Sequence, residues 1–127
     1  MVIGPPACRA FTALQNLNPN KEGEKYKQLL ADGIAFLRLC FAVYKWQLGR
    51  GAHFLHEHPK GAWSWSLGFI QAFLKQPDVI DVAGDQCPFG LMTWKLVKNK
   101  AVQGLAQKPT RWLTDVEEIA DAVAVLC

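Results

Sequence analysis

Three short apolar runs, residues 1–3, 53–59 and 79–85, alternate with two stretches of helical periodicity, and this alternation constrains the fold more than any other feature. Strand, helix, strand, helix, strand is the pattern of a parallel sheet with crossover helices. In the first intervening stretch Tyr26, Leu29, Leu30, Ile34, Leu37, Phe41, Tyr44 and Leu48 recur at three- and four-residue steps. That spacing predicts a helix over residues 21–48, about 40 Å long. Asn18-Pro19-Asn20 sets it up and Gly49 and Gly51 stop it, while Gly23 and Gly33 weaken its first half. Residues 53–59 read as a short strand that Pro59 closes. A loop carrying Trp63 and Trp65 follows, then a helix over residues 67–75 that ends before Pro77.

Beyond the third run, residues 89–107 read as a long irregular loop holding Lys95, Lys98 and Lys100. Residues 109–114 suggest a last strand. Thr114 or Asp115 then caps a helix through Leu126, with Glu117 or Glu118 placed to close a capping box. With 127 residues, 50% of them hydrophobic, the chain has material for one core and one domain. Its first residues open inside a strand, which suggests that a strand neighbour belongs upstream. The unpaired edge of that first strand invites self-association or docking of an upstream polypeptide.

The longest strongly apolar stretch, residues 34–43, is interrupted by Arg38 and is about half of what a bilayer span needs. The N-terminus has no basic region ahead of a long apolar run, so it is not a secretory signal. The expected place is therefore intracellular, in nucleus or cytoplasm, with Cys8, Cys40, Cys87 and Cys127 as reduced thiols. No C-x-x-C occurs, which argues against a zinc ribbon or a redox pair. The net charge of +3 implies polyanion binding only where charges cluster, as they do over residues 95–111.

In open parallel sheets ligands bind beyond the carboxyl ends of the strands. That rule singles out Gly4-Pro5-Pro6-Ala7-Cys8-Arg9-Ala10-Phe11-Thr12, Glu57-His58-Pro59 and Asp85-Gln86-Cys87-Pro88-Phe89-Gly90-Leu91. The first resembles the nucleophile loop of cytosine-5 DNA methyltransferases, Pro-Pro-Cys-Gln-x-Phe-Ser. Residues 54–61 resemble that family's strand ending in Glu-Asn-Val before a Lys-Gly turn, and residues 85–90 are a weaker match to its Asp-Tyr-Gly-x-Pro-Gln block. The whole set, with Lys108-Pro109-Thr110-Arg111, is similar to methyltransferase-like segments carried in retroelement polyproteins.

The resemblance implies a fold and a site. The fold would be α/β, a partial Rossmann-like methyltransferase sheet of mostly parallel strands with crossover helices and an antiparallel last strand. Residues 1–127 would form a single incomplete domain, the second half of the methyltransferase, with the cofactor half absent. Cys8 would be the thiolate that adds to C6 of a flipped cytosine, and Glu57 the carboxylate that holds the base edge. Pro5, Pro6 and Asp85 would lie on the cofactor side. S-adenosylmethionine would bind only if the missing half were supplied, and none is expected for the isolated chain. Ala7, inserted before Cys8, displaces a thiol that must approach at close range. Arg9 stands where the family has Gln, His58 where it has Asn, and no glycine-rich cofactor turn occurs.

Other readings compete. Arg9, Lys95, Lys98, Lys100 and Arg111, with Trp94 and Trp112 interleaved, are candidates to contact phosphates and bases of DNA or RNA. His56 and His58 share a strand face and would need Cys8 or Cys87 to complete a metal site, so no metal is assigned. Two functions therefore stand side by side: a methyltransferase segment inactive by itself, and a non-catalytic nucleic-acid or protein interaction module.

Overall fold

The structure, a computed structural model, describes residues 1–127. Strand β1 is Val2–Gly4, helix α1 Glu24–Gly49, β2 Phe54–Pro59, α2 Gly68–Leu74 and β3 Ile80–Asp85. Strands β4 (Met92–Val97), β5 (Lys100–Leu105) and β6 (Pro109–Thr114) follow, and α3 (Glu117–Val123) is the last helix. Four strands form one sheet in the order β1-β2-β6-β3, and β4 and β5 form a separate hairpin.

The expected mostly parallel, Rossmann-like sheet is overturned. Only β1 and β2 pair in parallel; β6 lies between β2 and β3 and is antiparallel to both. The domain is a small mixed α/β fold with a mostly antiparallel sheet. The cause is the connection into β6. After β3 the chain makes an antiparallel hairpin and returns directly, with no crossover helix to bring the next strand in parallel. The slot beside β2 is then filled by β6.

Alternation along β2 sends Phe54, His56 and His58 to one face and Leu55, Glu57 and Pro59 to the other. Helices α1 and α2 cover the first face through Leu37, Phe41, Tyr44, Ile70 and Phe73, which pack with Phe11, Phe54, Trp65 and Leu113 in one core. Helix α1 starts three residues later than the spacing predicts, because turns from Asn18 to Lys21 and from Asn20 to Gly23 hold the chain outside the helix. Its final residue, Gly49, lies one position beyond the expected end.

Helix α3 packs on β3 and β6 from the other face, where a Cβ at Gly84 would run into the Val123 carbonyl oxygen. The expected capping box is absent. Val116 is the N-cap, and Asp115 instead accepts from the Phe54 amide at 2.9 Å and meets His53 Nδ1 at 2.7 Å. Asp115 thereby ties the start of β2 to the end of β6. The helix stops at Val123, short of the expected Leu126, and Ala124–Cys127 turns back along the end of β3, where the Asp85 amide donates to the Val125 carbonyl at 2.7 Å. No helix is long and apolar enough to cross a membrane.

The region expected to be an irregular loop is the β4–β5 hairpin. Met92 to Leu96 alternates apolar and polar residues, and Lys98 and Asn99 take positive φ (49° and 62°), as a tight two-residue hairpin turn requires.

Candidate functional site

Strands β1, β2 and β3 all end at the edge of the sheet where β6 begins. The Cys8 loop, Glu57 and Asp85 therefore lie along one edge. Cys8 is half-buried and precedes a 3-10 turn, Arg9–Phe11, whose Phe11 amide donates to the Cys8 carbonyl; its thiol has no hydrogen-bond partner. Arg9 is exposed. Pro6 is buried, and Pro5 and Pro6 border an apolar groove of about 220 Å³ between β1 and α1.

Glu57 is committed internally. Its Oε1 accepts from Gln86 Nε2 at 2.9 Å and from Lys108 Nζ at 3.1 Å, and its side chain is 15% exposed. The carboxylate is thus neutralised by the chain itself, and neither Cys8 nor Glu57 lines any of five surface cavities. The largest, about 500 Å³, lies elsewhere, among Phe11, Gln15, Lys21, Tyr26 and Trp63. The sequence places Gln86 in the third strand-end segment and Lys108 at the head of the Lys108–Arg111 run, without assigning either to Glu57. Their approach to Glu57 depends on the insertion of β6, which no local pattern announces.

The opposite face of β2 holds the histidines. His56 and His58 are fully buried with rings 5.7 Å apart, and Trp65 packs edge-on against both. Burial keeps both neutral: it pushes His56 down to about 3, assisted by His58, and His58 down to about 4, assisted by the positive charge of Lys108. Alternation separates them from Glu57, and no cysteine or acid joins them in a ligand cluster. They are core residues. Burial also raises the Cys40 thiol and, far more strongly, the Tyr44 hydroxyl.

Arg111 is likewise structural. Its guanidinium makes a two-pronged pair with Asp81 and stacks 4.5 Å over the Trp65 ring. The Asp81 carboxylate raises the Arg111 value above its ordinary one.

Lys95, Lys98 and Lys100 present a different picture. All three are exposed on the hairpin, and none has an acidic partner. No Asp or Glu occurs over residues 86–114, which hold five of the 14 basic residues, leaving nine basic against 11 acidic elsewhere. Charge is therefore polarised toward this part of the molecule. One face of the hairpin carries Met92, Trp94 and Leu96 opposite Leu105, Gln103 and Ala101; the other carries Lys95 and Lys100 with Val97 and Val102. Trp94 is 69% exposed. The hairpin packs closely against no other element. The hairpin therefore projects into solvent as a two-stranded ribbon with apolar side chains exposed on it.

No protein-family model matches the chain, and neither a curated protein nor a solved structure matches it significantly.

Proposed function

We propose that this chain is a non-catalytic nucleic-acid-binding module whose contact element is the β4–β5 hairpin. The observation that carries the reading is the projecting ribbon itself: Lys95, Lys98 and Lys100 are free of internal ion pairs, and Trp94 is open to solvent. Lysines without acidic partners release counterions when they meet phosphates. An exposed indole offers a sequence-tolerant stacking surface to an unpaired base. Lys95 and Lys100 lie on one face of the ribbon and Trp94 on the other, so single-stranded DNA or RNA, flexible enough to pass around the ribbon, is the partner that uses both, and nucleus or cytoplasm is the setting that goes with it. The test is binding of a fluorescent single-stranded oligonucleotide. Replacing Lys95, Lys98 and Lys100 together by Gln abolishes binding while the thermal melt stays unchanged; undiminished binding by that variant refutes the reading.

One observation favours a second reading, descent from the catalytic half of a cytosine-5 methyltransferase: the Cys8 loop, Glu57 and Asp85 share one edge of the sheet. Under it, S-adenosylmethionine binds only when an upstream polypeptide completes the site. The two readings separate on Cys8→Ala, which leaves oligonucleotide binding intact if the module is non-catalytic. Methyl transfer by an assembled protein, lost in Cys8→Ala, would establish the second.

A further inference from the structure

Asp85 is the one acidic residue among the buried side chains. It is a carboxylate only 4% exposed, at the end of β3, with no cation beside it. Buried carboxylates are ordinarily paired with a positive charge or a metal. Its two hydrogen bonds, from Gln107 Nε2 at 3.1 Å and the Cys127 amide at 3.0 Å, both fall on Oδ2. Immediately beside it are two sulfurs. Cys87 is 5% exposed and opens the 3-10 turn after β3, and the chain that turns back after α3 delivers Cys127 to it. The two cysteines are joined as a disulfide, with Cα atoms 6.1 Å apart. Ligand atoms of Asp85, Cys87 and Cys127 all lie within 4.8 Å of one another.

We infer that, in the reduced protein, Cys87, Cys127 and Asp85 form a binding site for a thiophilic divalent cation, with Zn²⁺ the best match. Two thiolates and one carboxylate are a soft, anionic ligand set that suits zinc and disfavours Mg²⁺ or Ca²⁺. Tetrahedral zinc with bonds of about 2.0–2.3 Å sets its ligand atoms roughly 3.3–3.8 Å apart; once the disulfide is reduced, the two sulfurs separate to that distance by side-chain rotation, and the Asp85 carboxylate already lies within 4.8 Å of both. The fourth position is left to water. The cation supplies the positive charge that buried Asp85 lacks, and Gln107 and the Cys127 amide hold the carboxylate in place. Binding releases the two thiol protons.

The disulfide is the metal-free alternative for the same sulfurs. With hydrogen peroxide as oxidant, two zinc-bound thiolates give up two electrons and form the S–S bond. The peroxide takes those electrons and two protons to become two waters, and Zn²⁺ leaves. Reduction of the disulfide restores the site.

The full-length chain, reduced by a phosphine and freed of metal, tests this with Co²⁺ and Zn²⁺. The expected result is one equivalent of Co²⁺ per chain with a thiolate-to-cobalt charge-transfer band, displaced by Zn²⁺ and abolished by peroxide. The band disappears in Cys87→Ser and in Cys127→Ser, and persists when Cys8 and Cys40 are both replaced by Ser. Asp85→Asn retains the band with affinity lowered roughly tenfold or more. Should a cysteine variant be unfolded by circular dichroism, thiol blocking of the reduced folded wild type is the substitute and must likewise remove the band. Failure of the reduced wild type to take up either metal, or uptake that survives loss of Cys87 and Cys127, overturns the proposal.

Discussion

His56 Nδ1 lies 3.0 Å from the Tyr44 hydroxyl in the core, and that hydroxyl in turn reaches the Gly4 carbonyl at 3.2 Å. Tyr44 has one proton to give. If it donates to Gly4, His56 carries its proton on Nδ1 and donates to Tyr44, which is the arrangement of a neutral imidazole. The relay joins α1, β1 and β2. Tyr44→Phe removes both hydrogen bonds and leaves buried polar atoms behind. We expect a loss of about 1–3 kcal/mol in urea unfolding, with a change under about 0.5 kcal/mol contradicting the assignment.

The same histidines set the acid limit of the fold. The unfolded chain protonates them as pH falls below about 6.5. The folded chain does not do so until about 4 for His58 and about 3 for His56. In that window the unfolded state binds more protons, so their contribution to stability is complete above the unfolded value and is lost as pH falls. Each histidine contributes a slope of up to about 1.4 kcal/mol per pH unit. Chemical denaturation between about pH 7 and 4 measures it. His58→Phe, which keeps a ring between Phe11 and Trp65 but cannot ionise, makes the acid limb shallower; an unchanged limb speaks against the buried neutral pair.

Gly84 admits no side chain, because its neighbour is backbone that cannot swing aside: the Val123 carbonyl oxygen. Gly84→Ala is expected to lift α3 off β3 and cost about 1–3 kcal/mol. Thermal melts, with hydrogen exchange at the Asp85 amide as the local reporter, check this. A melt equal to wild type would mean that α3 does not seat on β3 as described.

Reducing the Cys87–Cys127 bond in the presence of a chelator removes a cross-link between residues 40 apart in sequence. The expected cost is about 2–4 kcal/mol. Melts with and without reductant measure it, and identical melts would show that the bond does not stabilise the fold.

The sequence made the local elements legible and left their assembly obscure. The spacing from Tyr26 to Leu48 predicts α1 to within three residues, and residues 53–59, 79–85 and 109–114 all become strands. The order of the strands was not legible, because nothing local says that β6 will enter between β2 and β3. The hairpin had a signal that lysine content obscured: Thr93, Trp94, Leu96 and Val97 favour a strand, and Lys98-Asn99 is a workable turn without glycine. The expectation that all four cysteines are reduced thiols followed from the lack of a secretory signal, and the Cys87–Cys127 disulfide overturns it for that pair. The pairing of Cys87 with Cys127 depends on α3 stopping at Val123, so that the chain can turn back to β3. Glu57 lies within β2, two residues before its end, and its commitment to Gln86 and Lys108 is a tertiary fact.

The central claim, a nucleic-acid contact made by the β4–β5 hairpin, is tested most directly by the salt dependence of oligonucleotide binding. Each single-strand phosphate neutralised contributes roughly 0.7 to the slope of log K against log salt, so three lysines account for a slope of about −2. The account predicts that slope for the wild type, its disappearance when Lys95, Lys98 and Lys100 become Gln, and a weakening of about 1–3 kcal/mol without a change of slope for Trp94→Ala. No binding at low salt, or the same slope in wild type and triple variant, would contradict it.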